Sequence, residues 1–300
     1  MNGYRSPLYA ESLAEFGTPL HLPRSDAWVL RRPIPETAEH DAIGCYPLFN
    51  CGNWRALGAD LDALKAEAIA VSIVVDPFAR LDGTNLGVLF VDVCRPYKQH
   101  AIVDFDGDWR NAICRHHRRN IRFAARHVEI ERGTEPANWL SQWSELYDNL
   151  VARHQIRGIA RFSRAAFRRQ LNVPGIVAFR AAVGTQTVGM LLWYVADSVA
   201  YYHLGAFSDA GYETRAAFAL FDAALNEFAS LGLRWALLGG GAGWQVAPND
   251  GLARFKLGWA NQSRTAWFCG LILERNKYAQ LSTDRDVGKN EYFPKYRAAA

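Results

Sequence analysis

The run Tyr201-Tyr202-His203-Leu204-Gly205-Ala206-Phe207-Ser208-Asp209-Ala210-Gly211-Tyr212-Glu213-Thr214-Arg215-Ala216-Ala217 has the features from which an anion-binding site is built. A strand ends, a polar turn carrying Gly211 follows, and a helix opens on small residues. The first backbone N–H groups of a helix lack intrahelical partners and the helix dipole favours negative charge there, so such a junction suits a phosphate. Gly211 would let the backbone approach a ligand, and Thr214 would add a hydroxyl. A plain helix start capped by Ser208 or Asp209 has the same pattern, and both readings stay open.

Other positions add chemistry. His203, titrating near neutrality, could act as a base, and strand alternation puts Tyr201 on its side with Tyr202 and Leu204 on the other. A hydrogen-bonded core histidine would look the same. Asp250 and Glu213 are weaker candidates for that role. The run Gly239-Gly240-Gly241-Ala242-Gly243 follows a buried strand, where open α/β sheets place their sites, and is read as site-lining. Arg115, Arg119, Arg122 and Arg126 recur three or four apart, hence on one helix face. Their guanidinium groups suit phosphate or carboxylate, although a solvated basic face is the alternative. His116 and His117 lack a third ligand at useful spacing, so no metal is expected. No Ser-His-Asp or Cys-His arrangement stands out.

The elements that must position these residues follow from composition and periodicity. With 300 residues, 50% hydrophobic and 13% aromatic, the chain can bury a full core in each of two domains. The net charge of +4 permits an anionic ligand without demanding one. The 5 cysteines contain no C-x-x-C pair and read as reduced thiols. Residues 1–17 lack the apolar core of a signal peptide, and no apolar run approaches the ~20 residues of a membrane span, so a soluble, cytoplasmic protein is expected.

In the first half, strands are expected at Trp28–Arg31, Tyr46–Phe49, Ile69–Val75, Leu86–Val93 and His100–Phe105, with a helix through Leu57, Leu61, Leu64 and Ala68. A helix capped by Asp106 or Asp108 runs to about His127, and a strand follows at Val128–Glu131. Gly133-Thr134-Glu135-Pro136 is the candidate boundary, dividing 1–135 from 136–300. Beyond it come helices at Trp139–Leu150 and Arg164–Leu171, then a meander of Ile176–Ala182, Thr187–Tyr194 and Ser198–Leu204. A long helix at Tyr212–Leu231, a strand at Arg234–Leu238, a short helix at Gly251–Leu257 and strands at Arg264–Phe268 and Leu271–Glu274 close the order.

Meander, turn, long helix and strand in this order resemble the GNAT acyltransferases from about Trp139 to Leu281. The resemblance implies an α/β (α+β) fold of two tandem GNAT-like domains, each a mixed, largely antiparallel sheet flanked by helices. Residues 1–135 would form a degenerate GNAT-like domain ending in the arginine-rich helix, and 136–300 the acyltransferase domain. It further implies that Ser198–Leu204 splays from Arg234–Leu238 with pantetheine between them. Leu204, Gly205, Ala206, Gly240 and Gly241 would line the donor, and Gly211, Tyr212, Thr214, Arg215 and Ala216 would hold its pyrophosphate. Thr214 and Ala216 stand where the commonest GNAT loop has a second glycine, which leaves the donor open between acyl-CoA and aminoacyl-tRNA.

His117–Arg126, the Trp143–Arg153 helix and Gly251-Leu252-Ala253-Arg254-Phe255-Lys256-Leu257-Gly258-Trp259 look like FemAB-type proteins, tandem GNAT-like folds that acylate amino groups. That resemblance implies direct transfer of an acyl or aminoacyl unit to an amine on a cell-envelope precursor, polysaccharide or small metabolite. Lys256 would contact a phosphate or offset charge on the acyl oxygen. His203, Tyr201, Lys256 and Asp250 become the catalytic candidates, and Arg119, Arg122, Trp244 and Arg254 join Lys256 as substrate contacts. The rival expectation is a non-catalytic module holding RNA or an acidic protein on its arginine face.

Overall fold

The computed structural model describes residues 2–241, 250–283 and 292–298. Strands β1 to β11 run Thr18–Leu22, Ala27–Pro33, His40–Gly44, Ala70–Val75, Val93–Asp104, Glu129–Arg132, Ile176–Val183, Gln186–Ala196, Val199–Phe207, Trp235–Gly239 and Gln262–Ile272. Helices α1 to α11 run Pro7–Ser12, Leu57–Leu64, Leu86–Leu89, Trp109–Ala112, Arg115–Ala124, Leu140–His154, Arg164–Gln170, Asp209–Glu213, Ala216–Ser230, Gly251–Leu257 and Arg275–Thr283. The class is the expected one, a mixed, largely antiparallel sheet flanked by helices.

The chain forms two compact units, residues 1–8 with 98–264 and residues 9–97 with 265–300. Each therefore draws on separated stretches of sequence. The Gly133–Pro136 stretch falls inside the first unit, between β6 and the turn at Pro136–Trp139.

In the second unit β1, β2 and β3 pair antiparallel, β3 and β4 parallel, and β4 and β11 antiparallel. The crossover between β3 and β4 carries α2, whose Leu57, Leu61 and Leu64 are buried with Val29, Trp54 and Ile73. Buried charge here is paired. The Asp41 carboxylate accepts from Arg32 Nε at 3.1 Å and from Arg297 Nη2 at 3.0 Å, and Asp60 accepts from the Ser25 hydroxyl at 2.6 Å and its N–H at 2.7 Å.

In the first unit the order is β5-β10-β9-β8-β7-β6. All neighbours are antiparallel except β9 and β10, which are parallel. Helix α9 buries Ala216, Leu220, Phe221, Ala224, Leu225 and Phe228, a three-to-four spacing that presents one apolar stripe to Ala200, Trp193, Ala236 and Val103. Each such Leu or Phe stabilises the unit by about 1.5–3 kcal/mol through removal from water.

Several expected elements differ. Leu86–Val93 is not a strand. Asn85 Oδ1 accepts from Gly87 N at 2.9 Å, and Leu86 and Phe90 point inward while Val88 and Val91 are exposed, a helical spacing rather than an alternating one. Tyr46–Phe49 forms only the isolated bridge Phe49–Val75. The helix expected up to His127 breaks after α4, because buried Ile113 turns the backbone and Cys114 N donates to Gly258 O at 3.0 Å instead of to a helical carbonyl. Tyr212–Leu231 divides into α8 and α9 around Arg215, which is left-handed at φ 58. The two final strands are one, β11, with Gly270 paired to Ser72 in its middle.

Candidate functional site

Strands β9 and β10 pair only over Val199–Tyr201 and Trp235–Leu237 and then diverge. Past Tyr201, β9 keeps β8 as its partner to Phe207, while β10 bulges between Leu237 and Gly239 against Ala101 of β5. The opening between parallel strands thus begins beside Tyr202. Leu204, Gly205 and Ala206 follow on β9, and Gly239, Gly240 and Gly241 follow at and beyond the end of β10. Gly239 sits at φ 83, a conformation open to glycine but strained for other residues.

Lys256 enters this opening from α10. Asp250 caps that helix, accepting from Leu252 N at 2.9 Å and Ala253 N at 3.0 Å. Lys256 is 8% exposed, and its ammonium donates to Gly240 O at 2.7 Å and lies 5.6 Å from the Tyr202 ring centroid. Lys98 of β5 donates to Gly241 O at 2.9 Å. Burial pushes Lys256 down to about 8, Lys98 adds to that, and Asp250 opposes it. A buried cation against carbonyl oxygens is a ready partner for negative charge developing on an acyl oxygen.

Helix α10 is fastened to α5. Buried His117 donates from Nε2 to Phe255 O at 2.8 Å, which leaves Nδ1 to accept from the Cys114 thiol at 3.1 Å. The ring sits among Phe218, Phe255 and Trp259, with centroids 5.0, 5.3 and 4.9 Å away. A Cβ at position 258 would overlap it, which is why Gly258 is there. The histidine that sequence could assign only as a non-ligand therefore sets the position of the residue before Lys256.

Tyr201 and His203 face the other way. Ala200 and Tyr202 pack toward α9, whereas His203 is boxed by Tyr4, Phe162 and Tyr194. Its Nδ1 lies 3.2 Å from the Tyr4 hydroxyl and its Nε2 3.1 Å from Gln170 Oε1, and burial pushes it down to about 3. Both ring nitrogens are occupied and the ring is held neutral. This is the environment of a core histidine, the alternative left open by residue type.

The anion junction is also more occupied than its sequence suggested. Gly211 packs its Cα against the Val188 carbonyl, so its lack of a side chain serves close packing. The Thr214 hydroxyl donates to Ala210 O at 2.7 Å, inside its own helix. Arg215 donates to Asn120 Oδ1 at 2.5 Å and stacks 4.4 Å over Phe123, tying the start of α9 to the arginine helix. Tyr212 lies under Arg153 at 4.2 Å. Ala216 is buried at the first turn of α9. Arg119, Arg122 and Arg254 are exposed. Trp244, Ala242 and Gly243 lie outside the described residues.

The structure thus gathers Lys256, Asp250, Gly240 and Gly241, and adds Lys98, His100 and Tyr202, which sequence reasoning did not select. The available signal was Lys98-x-His100 at the head of an apolar strand, where polar residues leading into a core need a reason. Among the described residues, no helix is long and apolar enough to cross a membrane, and no cluster of His, Cys, Asp and Glu could hold a metal.

Residues 112–259 match the family model of the acetyltransferase (GNAT) domain, a span that contains the opening and Lys256. No curated protein matches by sequence. Among solved structures, FemX superposes with TM-score 0.65 at 16% identity, covering 91% of this chain and 93% of that one. The C-terminal domain of a putative lysylphosphatidylglycerol synthetase from Agrobacterium fabrum gives 0.61 at 15%, covering 92% and 90%, and L-PGS from Bacillus licheniformis gives 0.56 at 13%, covering 89% and 92%. At these identities the likeness is one of fold, and it extends over nearly the whole of each chain. Strand order, diverging parallel strands and family model agree that residues 112–259 form a GNAT acetyltransferase domain, within a chain whose fold is like that of FemX.

Proposed function

We propose that the chain moves an acyl or aminoacyl unit from acyl-CoA or aminoacyl-tRNA to an amine by direct attack, with the donor between β9 and β10. The observation that carries this reading is the Lys256 ammonium, buried with no ion pair among the described residues where the two parallel strands separate. There it would stabilise the tetrahedral oxyanion, a role worth about 10²–10³ in rate for a single donor elsewhere. The diverging edge of β9, at Leu204, Gly205 and Ala206, would hold the carrier, and the backbone N–H groups at the start of α9 would meet its phosphates. The FemX and lysylphosphatidylglycerol synthetase folds support an aminoacyl donor and a cell-envelope acceptor, with tRNA as the partner; the family model supports acyl-CoA.

The test is intact-mass analysis of primary-amine acceptors incubated with the full chain and either acetyl-CoA or alanyl-tRNA, beside thermal melts with each donor. One donor should label the amine and raise the melting temperature, since a ligand at a hundred times its Kd adds about 2.7 kcal/mol. Silence from both would refute the reading.

A second reading has an observation of its own. Arg115, Arg119, Arg122 and Arg126 are exposed, and among the described residues none is in an ion pair. A non-catalytic module holding RNA or an acidic partner on α5 would lose binding steeply with salt when Arg119 and Arg122 are neutralised, and would be indifferent to Lys256.

A further inference from the structure

Two histidines flank the point where β10 leaves β9. Ile102, Leu237 and Tyr201 stand in one row across β5, β10 and β9. Alternation puts His100 on the face of Ile102 and His203 on the face of Tyr201, while Ala101, Val103, Ala200 and Ala236 turn to the opposite face and the α9 core. The two imidazoles therefore share a sheet face on either side of the opening. Their surroundings differ. His203 has both nitrogens engaged. His100 is 7% exposed, and its Nδ1 is buried with no hydrogen-bond partner among the described residues. Buried polar atoms in folded proteins are almost always satisfied, so an orphan beside a cleft marks a place for a missing partner.

We propose that His100 accepts the proton of the attacking amine during acyl transfer in the β9–β10 opening, an assignment that rests on the transfer reading above. The amine nitrogen bonds to the acyl carbon, the bond from that carbon to the carrier sulfur or oxygen breaks, and its electron pair leaves with the carrier atom. The proton lost by nitrogen passes to His100 and from there to the leaving atom, so one amide and one protonated carrier are formed. Burial, then Lys256, then Lys98, hold His100 down to about 3, and Asp250 beside the two lysines is the nearby carboxylate. Such a weak base does not strip an alkylammonium, so the amine attacks neutral and becomes acidic only as the C–N bond forms. At that moment the oxyanion near Lys256 offsets the cationic field and raises the proton affinity of His100. A base that is strengthened by the intermediate and weak again afterwards also hands the proton on readily.

The experiment is single-turnover transfer to simple primary amines by the full chain and its His100→Ala, His100→Gln and His203→Gln variants, with acetyl-CoA and alanyl-tRNA as donors. His100→Ala and His100→Gln should lower kcat about 100-fold with donor KM within about twofold, whereas His203→Gln should not. Added imidazole and its methyl derivatives should restore the rate of His100→Ala in the order of their basicity, which refilling a cavity would not produce. Melting curves confirm that each variant is folded, and His100→Gln serves if His100→Ala is not. Transfer by both His100 variants at more than about a third of the wild-type rate, a loss confined to KM, or rescue independent of azole basicity overturns the assignment while leaving the transfer reading intact. A wild-type chain inert with both donors removes both.

Discussion

Asp41 and Lys256 are both buried charged side chains, one in each compact unit, and among the described residues only the first is in an ion pair. Asp41, fully buried, is held between Arg32 and Arg297. Lys256 rests on a carbonyl and an aromatic face, with a second lysine lowering its proton affinity. Pairing turns a buried carboxylate into a structural clamp. An unpaired buried ammonium lowers stability, and its retention makes sense where a substrate supplies the negative charge. The contrast sets a carboxylate clamped between two arginines in one unit against an ammonium that rests on a carbonyl and a ring in the other.

The comparison breaks most sharply on a crossed pair of variants. Asp41→Ala leaves Arg32 and Arg297 uncompensated and should lower unfolding free energy by about 3–5 kcal/mol, read by urea denaturation, with transfer per folded molecule unchanged. Lys256→Met should do the reverse, reducing transfer about 10²–10³-fold while the melting temperature stays level or rises. A smaller effect belongs to the latch. Gly258→Ala forces a methyl group into the His117 ring, and a loss of about 1–3 kcal/mol is expected from overpacking. His117→Phe keeps the ring and removes the bond to Phe255 O, so kcat should fall by more than KM rises.

The last effect concerns acid. His100 and His203 are both held near 3 when folded, below the ordinary histidine value of about 6.5. The unfolded chain then binds more protons than the folded one, so stability declines as pH falls from about 6.5 toward 3, by up to about 1.4 kcal/mol per pH unit for each ring. His203→Gln should make that decline shallower in denaturant titrations at pH 4–6; an unchanged slope would show that the ring is not neutral in the fold.

Much of the acyltransferase half was legible because its signals are local. The meander expected over Ile176–Leu204 is β7, β8 and β9, the long helix at Tyr212–Leu231 contains α9, and the short helix at Gly251–Leu257 is α10. The arrangement of the units was not legible, since each is assembled from stretches far apart in sequence and no local pattern encodes that return. Nor was the base. His203 looked suitable by type and strand position, but its engagement depends on Tyr4 and Gln170, which lie 199 and 33 residues away. His100 was read only as the first residue of an apolar strand, and its significance comes from the divergence of two strands more than a hundred positions later. Gly211 and Thr214 show the same limit, since residue types suited to a phosphate are used here for packing and for a bond within the helix.

The most direct test of the central claim is the pH dependence of single-turnover transfer in the wild type, Lys256→Arg and Asp250→Asn. If the Lys256 ammonium supports the reaction, the wild-type rate falls above about pH 8 as that charge is lost. Lys256→Arg, permanently charged, should be slower but show no such limb, and Asp250→Asn, which keeps the cap and removes the charge that raises Lys256, should move the limb to lower pH. An alkaline limb at the same pH in all three proteins would contradict the account.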